Sequence, residues 1–464
     1  MRYVYETTEF LDERCYTTYA MTPEILMEHA GLALAKAVKK RLSGNKKALF
    51  LCGSGNNGAD GMVAARLLHG TYDVALYCPL TLKSPLATIH FERARLLGIP
   101  IVHELIDADV YVDALFGAGL NRLLDPQLCD LLSRINAHKG YKIACDIPSG
   151  LLCDLRLSSC VFKADETICM GALKLSLLND MSKDFVGKIR IASLGIDRSL
   201  YSVPSSYHVL QKKDLRLPYR THKNSNKGTY GHVCIVQGNK EGAARLTGMG
   251  AFHFGAGLVT LLGDSFAKVP AYLMRSSTLP RNASVIVAGM GLEMPFDQEF
   301  IGNLLNSSLP CVLDASLCHH PLIKDAISKQ KPLVLTPHPK EFASILNRTH
   351  QMDVSVEEIQ ANRFYYAKRF CQTFPHVTLV LKGANTIIAQ HEELFINPFG
   401  EPALAKGGSG DVLAGMIGAL IAQNYTPKEA AIQASLAHAL VSKKIKCNNF
   451  ALTPIDICKG LKWL

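Results

Sequence analysis

The chain has 464 residues, 48% of them apolar and 19% charged, a composition that builds packed cores and excludes an intrinsically disordered chain. Its length exceeds what one hydrophobic core usually holds, so two domains are expected. The formal net charge of +10 is uneven: residues 1–210 carry 23 basic against 22 acidic side chains and the remainder 27 against 18, so no broad nucleic-acid-binding surface is implied for the first half.

The opening, MRYVYETTEFLDER, lacks the apolar core of a secretion signal, and no stretch approaches the ~20 apolar residues of a membrane span, so a cytoplasmic protein is expected. TPEILMEHAGLALAKAVKKRL, with a Thr-Pro start and an apolar stripe, predicts a helix. KKALFLCG then gives a strand, and LCGSGNNGADGMVAARLL a glycine-rich turn opening onto a helix. Glycines there permit close backbone approach to a ligand, and free N–H groups at a helix start attract anions. Asn56, Asn57 and Asp60 add amide and carboxylate groups that a mere chain reversal does not require.

Further apolar runs, DVALYCP, DVYVDALFG, YKIACDIPSG, ETICMGAL and KIRIASLGI, alternate with helical segments. Uniformly apolar strands separated by helices predict a parallel sheet covered on both faces. Ligands bind outside the carboxyl ends of such strands. That rule selects the opening loop, Asp113 with GAGLNR, and the DIPSG turn carrying Asp146 and Ser149. Oxygen donors without Cys or His clusters suit a hard cation or a hydroxylated ligand.

Residues 211–228, QKKDLRLPYRTHKNSNKG, hold six Lys or Arg and one Asp. With little aromatic interleaving they read as a solvated linker rather than a nucleic-acid site, and the domains are expected to span 1–210 and 211–464. The alternation resumes with GHVCIVQG, GLVTLLG, SVIVAGMG, PCVLDAS, PLVLTPHP, TLVLKGANTIIA and ELFINPFG, a second α/β unit. Its sharpest feature is AKGGSGDVLAG, where glycines open onto a helix whose first turn carries Asp411. Such a loop leaves room for a phosphoryl group beside a carboxylate that can accept a hydroxyl proton. The turn Lys382 to Thr386 offers a phosphate or ribose contact, and His338 either lines this cleft or packs at a strand end. The 14 cysteines lack C-x-x-C spacing, so reduced, mostly buried thiols are expected, without disulfides or zinc.

The first half resembles the NAD(P)H-hydrate epimerase domain through GSGNNGADG, VDALFGAGL, DIPSG, GALK and VGKIRIASLGI. The second resembles the NAD(P)H-hydrate dehydratase domain of the ribokinase-like superfamily through GMGLE, LTPHPKEF, LVLKGANTII and AKGGSGDVLAG. Together they look like the bifunctional nicotinamide nucleotide repair family. The resemblance implies two three-layer α/β/α domains, Rossmann-like and then ribokinase-like. It implies epimerisation of R and S hydrates of NADH and NADPH by the first, and ADP-dependent dehydration of the S form by the second. By matched position, Asn56, Asn57, Gly58, Ala59, Asp60, Gly117, Ala118, Gly119, Leu120, Asn121, Arg122 and Leu123 contact the hydrate, and Asp146 is catalytic. Asn57, Asp113 and Ser149 hold potassium. In the second domain Ala243, Gly291 and His338 line the hydrate site, Lys382, Gly383, Ala384, Asn385, Thr386 and Gly410 the ADP, and Asp411 is the base; magnesium accompanies the nucleotide. The expected partners are these small molecules and further copies of the chain, with neither nucleic acid nor membrane.

Four departures stand out. Ala59 replaces a glycine, Ser409 a threonine, and Lys406 sits at a normally uncharged position where it either adds a phosphate contact or alters nucleotide choice. Ser316 in LDAS replaces a second aspartate, which argues against a metal there. The rival reading is a ribokinase-like kinase of a small alcohol fused to a non-catalytic nucleotide- or RNA-binding scaffold.

Overall fold

Runs of five or six Val, Ile, Leu, Ala and Cys residues, too short for helices and ended by Gly, Asp or Pro, set the main strands. The computed structural model describes residues 1–42, 46–263, 269–350 and 352–464, and the chain divides into Tyr3–Ser205 and Ser206–Leu464, the latter with Met1–Arg2.

In the N-terminal unit the strands are β1 (Arg2–Tyr5), β2 (Lys47–Cys52), β3 (Asp73–Tyr77), β4 (Ile101–Val102), β5 (Val110–Ala114), β6 (Tyr141–Cys145), β7 (Glu166–Met170), β8 (Leu173–Lys174) and β9 (Lys188–Ala192). Seven form a parallel sheet in the order β4-β3-β2-β5-β6-β7-β9, and β1 pairs with β8. Along β2, Ala48, Phe50 and Cys52 enter one core and Leu49 and Leu51 the other, which is why the run is apolar throughout. The order reverses between β2 and β5, so the loops after them open a crevice at their carboxyl ends.

The C-terminal unit holds β10 (Tyr207–Val209), β11 (His232–Val236), β12 (Leu258–Leu262), β13 (Met274–Ser276), β14 (Val285–Ala288), β15 (Cys311–Leu313), β16 (Leu333–Leu335), β17 (Val377–Leu381), β18 (Thr386–Gln390) and β19 (Glu393–Asn397). They run β13-β12-β11-β14-β15-β16-β17-β18-β19-β10. All pairings from β13 to β17 are parallel, while β18 is antiparallel to both neighbours. Each run read as a strand in the sequence is one, and the strands that escaped, β1, β4, β8, β10 and β13, have two to four residues.

Two expectations are corrected. The first glycine-rich turn is shorter than the run of glycines and asparagines suggests: the helix after it begins at Asn56, so Asn56 to Asp60 are its opening turns and the turn proper is Gly53 to Gly55. A Cβ on Gly58 would stand 2.1 Å from the Gly53 carbonyl oxygen, a closeness that only glycine permits. The cysteines are also not all reduced: Cys129 and Cys160, 31 positions apart in sequence, form a disulfide with Cα atoms 5.3 Å apart. The helix Pro126–Ala137 and the segment after Gly150 fold together there, a tertiary approach that spacing does not reveal. The other 12 are free, and Cys52, Cys145, Cys234 and Cys311 are buried as read. No described helix is long and apolar enough to cross a membrane.

The helix Ser409–Ala422, buried along nearly its whole length, crosses the helix Glu241–His253 at backbone contact. A Cβ on Gly415 would lie 2.0 Å from the Thr247 carbonyl oxygen, and one on Gly250 2.6 Å from that of Val412. Gly415→Ala is therefore expected to destabilise this unit by about 1–3 kcal/mol through overpacking, read as a lower urea midpoint, whereas Gly242→Ala, with nothing within 4 Å of its added carbon, should not lower it.

Candidate functional site

Each unit gathers its polar residues at the carboxyl end of its sheet. In the first, Asp113 lies in β5 and is fully buried. Its carboxylate accepts the Ser149 N–H and hydroxyl, both at 2.7 Å, and the Leu115 N–H at 3.2 Å. The Ser149 hydroxyl in turn accepts the Phe116 N–H at 3.0 Å. Burial pushes Asp113 up to about 6 despite these donors, and it has no cationic partner among the described residues. The Asn57 side chain stands about 3.2 Å from where a Gly117 Cβ would be, and its buried amide nitrogen has no partner.

Asp146 follows β6 with φ of 67°, an uncommon conformation for a residue with a Cβ. One carboxylate oxygen accepts the Met170 N–H at 3.0 Å and the Lys174 ammonium; the other accepts the Ala118 N–H at 3.1 Å. Lys174, 2% exposed, also donates to the Met170 carbonyl at 2.8 Å. Burial acts to lower the Lys174 ammonium, but the charge and hydrogen bond of Asp146, joined by Cys169 and Asp12, together outweigh it and the group sits above its ordinary value. Asp60 is pushed well above the usual carboxylate range by burial and then by Asp146 and Asp12. The Tyr201 hydroxyl donates to Asp12 at 2.8 Å. Asn57, Asp60, Ala118 and Asp146 thus line one crevice with Asp113 and Ser149 behind it, while Asn121, Arg122 and Leu123 face solvent.

In the second unit Asp314 follows β15, His338 follows β16 and Lys382 follows β17. The Lys382 ammonium lies 2.8 Å from Asp314 and 3.7 Å from Glu341. Burial acts to lower it, yet those two carboxylates raise it above its ordinary value. Glu341 accepts the His338 backbone N–H at 2.7 Å, with the imidazole 3.3 Å from its other oxygen. The helix carrying Asp411 starts at Gly408, whose φ of 88° a side chain would resist, and a Gly410 Cβ would stand 3.3 Å from the Lys382 ammonium. Burial and then Asp314 raise Asp411 to about 6, against Lys382. Ser409, buried, meets His438 at 3.3 Å, so its hydroxyl is engaged below the loop. Ala243 stands 3.1 Å from a Gly291 Cβ, which places both on one wall. Lys406 donates to the Phe450 and Leu452 carbonyls at 2.6 and 2.8 Å, so its ammonium is spent on holding the chain and not offered to a phosphate.

The sequence reading missed Lys174, quoted only inside GALK, and Glu341, quoted only inside LTPHPKEF. Asp314 was discounted because of its neighbour Ser316, yet Asp314, Cys318 and Glu341 bring ligand atoms within 4.8 Å of one another. Arg363 gave no signal at all. It is 2% exposed and donates to the Leu381, Lys382 and Asn385 carbonyls at 3.0–3.1 Å.

A family model described as NAD(P)H-hydrate dehydratase matches residues 233–462, and one described as YjeF-related protein N-terminus matches residues 23–176. The bifunctional NAD(P)H-hydrate repair enzyme Nnr of Helicobacter pylori is 40% identical over 472 residues, covering 99% of each chain. The chain belongs to the bifunctional NAD(P)H-hydrate repair enzymes. That of Escherichia coli is 33% identical over 440 residues, 89% of this chain and 83% of its own. Among solved structures, the ADP/ATP-dependent NAD(P)H-hydrate dehydratase of Bacillus subtilis co-crystallized with ATP/Mg2+ is similar at 29% identity and a TM-score of 0.45, covering 53% of this chain and 92% of that one. In this repair enzyme the match over residues 23–176 contains Asn57, Asp113, Asp146 and Lys174, and the match over residues 233–462 contains Asp314, His338, Lys382 and Asp411.

The raised Asp411 carboxyl has a thermodynamic sign. Folded, it keeps its proton to about pH 6; unfolded, it releases it near 3.8. The folded state therefore binds more protons between these values, so its stability falls as pH rises through that interval and levels off above it. Asp411→Asn lacks the penalty, and its stability relative to the parent should improve by about 1–3 kcal/mol between pH 4 and 7, measured as urea midpoints at each pH.

Proposed function

We propose that this repair enzyme restores NADH and NADPH that have taken up water on the nicotinamide ring. Residues 1–210 interconvert the R and S hydrates, and residues 211–464 dehydrate the S form with ADP, releasing AMP and phosphate. The observation that carries this is Asp411, a carboxylate in the first turn of a glycine-capped helix, facing a lysine held by Asp314 and Glu341.

In the dehydratase Ala243, Gly291 and His338 take the hydrate, while Lys382, Gly383, Ala384, Asn385, Thr386 and Gly410 take ADP. Asp411 accepts the proton of the ring hydroxyl as that oxygen bonds to the terminal phosphorus of ADP and the bond to AMP breaks. The helix N-terminus and Lys382 meet the charge on the transferring phosphoryl group. The ring nitrogen's lone pair then expels phosphate, and loss of a proton from the adjacent carbon restores the dihydropyridine.

In the epimerase Asn56, Asn57, Gly58, Ala59, Asp60 and the loop Gly117 to Leu123 hold the hydrate. Asp146 moves the proton of the hydroxyl as it leaves and returns on the other face. Its oxygen toward Ala118 is the reactive one, since the other is taken by Lys174 and Met170.

Two ions fit the donors present. Asp314 and Glu341 offer hard oxygens beside the nucleotide residues, a set suited to magnesium, which when bound neutralises phosphate charge. Asp113 and Ser149 offer oxygens, with the Asn57 side-chain oxygen as a third donor, around a buried carboxylate that has no cationic partner among the described residues, a set suited to potassium, which when bound would balance that charge.

Asp146→Asn is expected to slow R-to-S conversion by about 10²–10⁴-fold while ADP-dependent recovery of NADH absorbance from the S hydrate persists. Asp411→Asn should do the reverse. Retention of both activities in both variants would refute the assignment.

A further inference from the structure

Beside the dehydratase site lies a groove of about 470 Å³ whose lining includes His319, Lys340, Ser344, Asn347, Arg348 and Ser355 and contains no carboxylate. Lys340, Ser344, Asn347 and Arg348 recur at four-, three- and one-residue steps on the helix Pro339–His350, so they share one face. From Lys340 to Arg348 that face runs about 12 Å at 1.5 Å per residue. Neither cation has a carboxylate partner among the described residues, although the same unit pairs Lys240, Arg245, Lys382, Lys428 and Lys443 with acids. The groove adjoins His338: His319, in the short turn after Asp314, feels the charges of Glu341, His338, Lys340 and Arg348 together.

Six donor side chains and two unpaired permanent charges describe an anion site. Its place in the sheet decides which anion. The groove is built from segments following β15 and β16, on the His338 side of the cleft, whereas the nucleotide turn Lys382 to Asn385 joins β17 to β18. His338 directly precedes the helix that carries Lys340 and Arg348, so a ligand held at His338 can continue along this helix face.

Resting on the proposed dehydratase reading, we propose that the groove binds the phosphate monoester on the adenosine ribose of hydrated NADPH, with Lys340 and Arg348 as the specificity residues. Hydrated NADH lacks that group, so the two substrates differ at the far end of the molecule from the reacting ring. The groove lowers KM for the phosphorylated hydrate and leaves the chemical step unchanged.

The test is the full-length double variant Lys340→Gln/Arg348→Gln, assayed for ADP-dependent dehydration of the S hydrates of NADPH and NADH separately. Both positions are exposed, so folding should be unimpaired. The expected result is a KM for the NADPH hydrate raised about tenfold or more, with KM for the NADH hydrate and for ADP within about twofold and kcat unchanged. Equal shifts for both hydrates, no shift for either, or a raised KM for ADP alone would overturn the assignment. Failure of the underlying reading would look different: the unmodified chain would regenerate neither coenzyme.

Discussion

A lysine ammonium held out of water against an aspartate at the end of a parallel strand is the interaction on which both sites depend. Lys174 is clamped to Asp146 in the first unit and Lys382 to Asp314 and Glu341 in the second. Burying such charges is expensive, and removing one partner of a buried pair typically costs about 3–5 kcal/mol. What the arrangement achieves is orientation. Asp146 is left with one oxygen held by Lys174 and Met170 and the other by the single N–H of Ala118, and it is fixed further by a backbone conformation that its own Cβ disfavours. Lys382 is drawn to the mouth of the glycine-capped helix, within reach of the place where Gly410 leaves space for a phosphate.

The two pairs are built in opposite senses. In the first unit the lysine steadies a carboxylate, Asp146. In the second, two carboxylates steady the lysine, while a separate acid, Asp411, stands in the first helical turn. Arg363 adds a second cation beneath the same turn, donating to three of its carbonyls. Positive charge, a requirement of phosphoryl transfer, is thus gathered from groups that are far apart in sequence.

The distribution of what could be read in advance follows from this. Strands buried on both faces announce themselves as unbroken apolar runs, so β2, β5, β6, β11, β14 and β17 were legible, as were loops rich in glycine and asparagine. Motif residues such as Asp146 and Asp411 stand beside those loops and could be named with them. Residues that act by tertiary approach could not. Arg363 sits in a helix of ordinary composition, Asp314 was masked by the serine two positions on, and Cys129 and Cys160 carry no spacing that marks a disulfide. Lys406 shows the opposite error, because a lysine beside a glycine loop suggests a phosphate contact until its two carbonyl acceptors are seen.

The central claim is that the second site removes the hydroxyl by first transferring a phosphoryl group to it, with Asp411 taking its proton. Dehydrating S hydrate labelled with oxygen-18 at the ring hydroxyl, in ordinary water with ADP, follows that oxygen directly. The account predicts the label in the released phosphate, one atom per coenzyme restored. Label found in water, with unlabelled phosphate, would contradict it.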